Sequence, residues 1–126
     1  MNLLDKVVKL ENEAAAFGFC WENAEQIMAQ IQSEFFEIKE HIDQPIPQIN
    51  QEELQAEIGD LLHAVFSLCV FCKFSPSETL SQTLNKFERR LNAVKAIAQE
   101  QGYTDLNGHP FEKLMVVWDQ AKTRVG

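Results

Sequence analysis

The chain has 126 residues, 45% of them hydrophobic, and a formal net charge of −8. That length suits a single domain with one core, and the composition lies far from that of a disordered chain. The acidic balance argues against a general nucleic-acid binder, which needs a basic surface; nucleotides stay open, because a metal and a few cations can offset the field locally.

The pattern of apolar residues is helical nearly throughout. Met1 to Glu13 alternates charged and aliphatic residues and has no signal-peptide h-region, so a cytoplasmic protein is expected. A first helix is predicted from Leu3 to Ala16, closed by Gly18. A second runs from Trp21 to Asp43, with Ala24, Ile27, Met28, Ile31, Phe35, Ile38 and Ile42 forming one apolar stripe at intervals of three and four. Gln44-Pro45-Ile46-Pro47 ends it, since proline lacks the amide donor and clashes with the preceding turn. A third helix covers about Gln51 to Lys73, and Ser75-Pro76-Ser77 then places a proline at the first position of the next. That fourth helix spans about Ser77 to Gln101 and stops at Gly102. After the turn-rich Asp105 to Pro110 comes a short helix with Phe111, Leu114, Met115, Trp118 and Ala121 on its apolar face. No hairpin or repeat is present. Long helices with short connections predict an all-α domain over 1–126, a four-helix-bundle core with a short additional C-terminal helix.

The third helix is apolar on almost every side from Leu61 to Cys72, and such a helix must be buried all round. His63, Ser67 and Lys73 interrupt the run, which falls short of the roughly 18–20 residues of a membrane span. In so small a chain a subunit interface would supply part of the burial. Phe36, opposite the stripe of the second helix, makes the same point, so a homodimer or higher homo-oligomer is expected and no membrane partner is. Three cysteines suit no secreted disulfide framework. Cys69-Val70-Phe71-Cys72 has CxxC spacing, but without a second CxxC or a histidine pair it reads as thiols buried in a helix core.

Two acidic pairs carry the chemistry: Glu34-Phe35-Phe36-Glu37 and Glu57-Ile58-Gly59-Asp60. Residues at i and i+3 share one side of a helix, so each pair can offer two carboxylates to one point in space. Two such helices side by side can bring four acids around a small cavity, the oxygen-rich setting that Mg²⁺ takes, with waters and substrate phosphates completing its shell. Solvated helix faces also carry acidic pairs at this spacing, so spacing alone leaves both readings open. Glu57 and Asp60 stand at the entrance to the apolar helix, where an unpaired carboxylate is costly, and that favours function. His41 and His109 read as surface or loop residues. Asp60-Leu61-Leu62-His63 matches half of a di-iron carboxylate site, but those bundles need a Glu-x-x-His element on each of two helices.

Cations stand at helical spacing further on. Lys86 and Arg90 lie one turn apart with Arg89 beside them, and Trp118 and Lys122 form an aromatic–cation pair at i,i+4. Arginine binds phosphate through a planar fork and lysine as a point charge. Surface ion pairs for the first group and core packing for Trp118 are the plain alternatives.

Taken together, Gly18-Phe19-Cys20-Trp21, the two acidic pairs, Asn85 to Arg90 and Trp118 to Lys122 resemble, in order, the MazG-type all-α nucleoside triphosphate pyrophosphohydrolases, whose signature is EExxE, a spacer and ExxD. The resemblance runs from about Phe17 onward and is nearest to the C-terminal catalytic domain of the two-domain members. It implies that Glu34, Glu37, Glu57 and Asp60 are catalytic and hold Mg²⁺, with Mn²⁺ able to substitute. It further implies that Lys86, Arg90 and Arg89 contact the triphosphate, while Trp118 and Lys122 line the nucleotide site. The implied reaction is attack of water on a nucleotide phosphorus, normally the α, giving a monophosphate and pyrophosphate; housecleaning of non-standard nucleotides is one family role. One position departs from the signature, because Ser33 stands where the first glutamate belongs. Serine cannot act as a carboxylate base, so a nucleotide-binding or regulatory module without turnover is the alternative.

Overall fold

In the computed structural model, which describes residues 1–126, the chain is all-α: five α-helices, one 3-10 turn and no strand. They are α1 (Leu3–Phe17), α2 (Ala24–Ile42), a 3-10 turn (Ile46–Gln48), α3 (Gln51–Phe71), α4 (Pro76–Glu100) and α5 (Phe111–Val125). The chain divides into two compact units, Met1–Thr79 and Leu80–Gly126.

In the first unit, local sequence sets the helix ends. Asn2, Asn23 and Asn50 are the N-caps of α1, α2 and α3, each side chain accepting a backbone N–H of the first turn. The Asn23 cap explains why α2 starts at Ala24 rather than at the predicted Trp21. Gly18 closes α1 in the left-handed region at φ 96°, with the Phe19 and Gly18 amides donating to Ala14 and Ala15. Lys73 plays the same part after α3 at φ 68°, a conformation that strains a residue with a Cβ. Pro76 begins α4, as its fixed φ and missing N–H favour.

Packing in this unit is partial. α2 lies along α3, and α1 packs on α3. Ser67, buried in α3, donates to Glu11 Oε1 of α1, and His63 Nε2 meets the same oxygen at 2.8 Å. Of the α2 stripe only Ile27 is fully buried; Met28, Phe35 and Ile42 are more than half exposed, as is Phe36. Within a single chain α3 is not covered all round: only Ala64 and Ser67 are buried, and Leu62 is 53% exposed. One chain has too few elements to surround this helix, which is also long and apolar enough, by length and composition, to cross a membrane. The buried-thiol reading is corrected for the same reason. Cys72 and Cys20 are exposed and Cys69 is half-buried, all three unbridged.

The second unit closes on itself. Ala93 and Ile97 of α4 interlock with Val117 and Ala121 of α5 in a buried cluster, with Val94 and Leu106 against it. Gly102, at φ 87°, ends α4 with the Tyr103 and Gly102 amides donating to Ala98 and Gln99. The Asp105 side chain accepts from the Asn107 N–H and tightens the turn before α5. Arg124 grips Glu100 through two bonds of 3.0 and 2.9 Å, which holds the Glu100 carboxyl below its usual range. The last helix is not short: α5 has 15 residues, as many as α1.

Candidate active site

On α2, Gln30, Glu34, Glu37 and His41 recur at helical spacing and share one face. Glu34 is buried, with 8% of its surface exposed. Its Oε1 accepts from Gln30 Nε2 at 2.7 Å, whereas its buried Oε2 has no partner. Glu57, half-buried on α3, has a second such oxygen, Oε2. Glu37 and Asp60 are exposed beside them.

The four acids share one electrostatic neighbourhood. The Glu37 carboxyl is held above its ordinary range, first by the charge of Glu34 and next by the hydrogen bond those two can share when one is protonated. Partial desolvation and the charges of Glu57 and Asp60 push the same way. The packed α2 and α3 thus place the two acidic pairs within reach of one another's charge.

Their chemistry suits a hard divalent cation. The donors are all carboxylate oxygens, two of them buried without a hydrogen bond, and a buried unpaired carboxylate oxygen is costly unless a cation or donor reaches it. No three or more acidic, histidine or cysteine side chains gather closely enough to enclose an ion by themselves. Mg²⁺ does not require that, because it keeps several waters and takes one or two carboxylates together with substrate phosphates. His63, the remaining candidate for di-iron ligation, is engaged by Glu11 of α1.

His41 is a residue that the sequence reading misplaced. It is buried at the end of α2, 8% exposed, rather than at the surface. Its Nε2 accepts the Asn50 N–H at 3.0 Å, and its Nδ1 lies 3.5 Å from Glu57 Oε2. His109 does lie in a loop, half-buried and edge-on to Tyr103. Ser33 is exposed on α2, next to Glu34.

The expected phosphate and base readers belong to the second unit. Lys86 and Arg89 are exposed on α4. Arg90 is half-buried: its Nε donates to the Gly126 carbonyl at 2.9 Å, and its guanidinium stands 5.6 Å from the centre of the Trp118 ring. Phe87 packs on Trp118 with centroids 6.0 Å apart. Lys122 Nζ is 3.5 Å from Asp119 Oδ1, a loose exposed pair. Lys86, Arg90 and Trp118 thus share one side of the α4–α5 pair, with Arg90 already engaged by a cation–π contact.

Comparison with known proteins agrees with the geometry. The MazG nucleotide pyrophosphohydrolase domain model matches residues 22–95, which takes in all four carboxylates with Lys86, Arg89 and Arg90. The chain is 30% identical over 114 residues to the nucleoside triphosphate pyrophosphohydrolase/pyrophosphatase MazG of Thermotoga maritima, covering 90% of this chain and 42% of that protein. It is 28% identical over 119 residues to the nucleoside triphosphate pyrophosphohydrolase of Escherichia coli K12, covering 94% and 44%. A third similarity, 34% over 73 residues, is to YabN of Bacillus subtilis, covering 58% of this chain and 15% of YabN. The chain therefore spans less than half the length of these relatives. By the family match over residues 22–95, and with the acids of both helices in place, this chain belongs to the MazG nucleotide pyrophosphohydrolase domain family.

Proposed function

We propose that this protein hydrolyses nucleoside triphosphates to a nucleoside monophosphate and pyrophosphate, using Glu34, Glu37, Glu57 and Asp60 to hold Mg²⁺, or Mn²⁺ in its place. The observation that carries the reading is the pair of buried carboxylate oxygens without a hydrogen-bond partner, Glu34 Oε2 and Glu57 Oε2, on the packed α2 and α3, with Glu37 and Asp60 in the same electrostatic neighbourhood. Like charges held together raise the energy of the free protein and favour a cation among them. A bound ion supplies neutralising charge for phosphate oxygens and lowers the pKa of its water.

The protein's own residues supply position. Gln30 orients Glu34 through Oε1 and leaves Oε2 open. Lys86 and Arg89, exposed on α4, are the groups proposed to take the negative charge of the phosphates, with Arg90 presented by its contact with Trp118. Trp118 offers a ring for a base. In the reaction, water attacks the α-phosphorus, the bond to the β-phosphate oxygen breaks, and the leaving pyrophosphate carries away that charge. Housecleaning of non-standard nucleotides in the cytoplasm is part of the same proposal.

A homodimer completes the reading. Phe35, Phe36, Ile58, Leu62 and Val65 of α2 and α3 are all at least 40% exposed, an apolar surface that a second copy of the chain would cover. The partner is proposed to be another copy rather than lipid, because α3 also carries Glu52, Glu53, Glu57 and Asp60. Ser33 favours one second reading, a module that binds nucleotide without turnover.

The test is incubation with a panel of ribo- and deoxynucleoside triphosphates, with and without Mg²⁺, resolving products by anion exchange. Monophosphate and pyrophosphate formed only with metal is the expected outcome. Diphosphate and phosphate would place the cleavage elsewhere, and metal-dependent binding without any product would leave the binding module.

A further inference from the structure

We infer that His41 is a positioning residue that orients Glu57 for the cation, acting through a fixed tautomer and using its other nitrogen to anchor the start of α3. The inference rests on the metal-site reading above. Three features of the structure support it.

First, the Asn50 amide selects the tautomer. Asn50 caps α3, its Oδ1 accepting from Glu52 and Glu53 N–H. In a common arrangement the residue three positions into the helix, here Glu53, would reach back to accept the N-cap amide. Here the Asn50 N–H goes instead to His41 Nε2 at 3.0 Å. A ring nitrogen that accepts carries no proton, so in neutral imidazole the proton resides on Nδ1. That N–H is on the side of the ring facing Glu57.

Second, the target is the right one. Nδ1 stands 3.5 Å from Glu57 Oε2, longer than a good hydrogen bond. Oε2 is buried and has no other polar partner. The contact therefore directs the carboxylate without saturating it. Helical side chains lean toward the helix N-terminus, which brings Glu57 back toward the Asn50 turn where His41 lies.

Third, burial fixes the ring. His41 is 8% exposed and follows Glu37 by one helical turn on the same face of α2, so it cannot swing into solvent without opening the α2–α3 connection. Groups that orient metal-binding carboxylates in this way commonly affect metal affinity by about 10–100-fold.

Two substitutions separate the ring's two tasks. His41→Gln places an acceptor where Nε2 was and keeps the Asn50 contact, but offers no donor at the Nδ1 position. His41→Asn does the reverse. Binding of Mn²⁺ to the 126-residue chain without nucleotide, followed by the EPR signal of free Mn²⁺, reads the consequence beside thermal melts by circular dichroism, with Glu57→Gln as reference. The expected result is about tenfold or greater loss of Mn²⁺ affinity in His41→Gln with little change in melting. His41→Asn should melt earlier yet bind Mn²⁺ within about threefold of the unsubstituted protein. Unchanged affinity in His41→Gln, with Glu57→Gln weakened, overturns the inference and leaves the metal site standing. Equal loss in both variants, in step with their stability, overturns it in favour of a structural histidine. Absence of Mn²⁺ binding by the unsubstituted protein overturns both this inference and the metal-site reading.

Discussion

The two units differ in how they treat charge and in how their helices close. In Leu80–Gly126 several charged groups find partners: Arg124 with Glu100, Arg90 with the Gly126 carbonyl and the Trp118 ring, Lys113 with Gln101. Its helices meet in a closed cluster around Val117 and Ala121. In Met1–Thr79 the charges of Glu34, Glu57 and Asp60 all bear on Glu37, two buried oxygens lack any hydrogen-bond partner, and large apolar side chains of α2 and α3 stay in the open. The second unit thus pairs part of its charge internally, while Lys86 and Arg89 stay exposed and Leu84, Phe87, Phe111 and Val116 are each at least half exposed. In the reading proposed above, the first unit would take its missing groups from outside, a cation for the acids and a second copy of the chain for the apolar helix faces. Sites built for ligands commonly sacrifice local stability in this way.

The sharpest way to break the comparison is to remove one acid. Asp60→Asn should lower pyrophosphate release at least about a hundredfold while the helical circular dichroism stays unchanged, because the exposed side chain carries no packing. Full turnover would remove Asp60 from the site. Next comes the apolar surface: Leu62→Glu should shift the protein toward monomer in sedimentation velocity. A monomer already in the unsubstituted protein at micromolar concentration would contradict the dimer. In the second unit, Val117→Ala opens a cavity in the closed cluster and should cost about 2 kcal/mol of stability, measured by urea unfolding. Mn²⁺ affinity should not change, since none of the acids lies in that unit.

The smallest effect is a pH-dependent one. Glu37 binds its proton more tightly in the folded protein than in the unfolded chain, where the carboxyl has its ordinary value of 4.5. Below that value the repulsion is absent; it destabilises the fold increasingly as the pH rises through the raised folded value. Added Mg²⁺ should therefore raise the melting temperature more at about pH 7.5 than at about pH 5, where protons also compete for the ligands. An equal rise at both would separate metal binding from this cluster.

The helices were legible because their ends are written in local chemistry. Gly18, Gly102 and Pro76 act within a turn of where they stand, and the asparagine caps, which the sequence reading passed over, include the one that makes α2 begin at Ala24 rather than Trp21. The pairing of acids on each helix was legible for the same reason, since i,i+3 spacing fixes a shared face. Burial was less so. The apolar run of α3 announced a need for cover, but a single chain leaves Leu62 and Val65 exposed. His41 was missed although its spacing from Glu34 and Glu37 placed it on the same face. Its burial depends on the return of the chain through Ile46–Gln48 to Asn50, a path that helical periodicity does not encode.

The most direct test of the central claim is hydrolysis of a nucleoside triphosphate in ¹⁸O-labelled water with Mg²⁺, comparing the unsubstituted protein with Asp60→Asn and weighing the products by mass spectrometry. Attack at the α-phosphorus predicts label in the monophosphate alone and almost no product from the variant. Label in the pyrophosphate, or equal turnover by the variant, would contradict it.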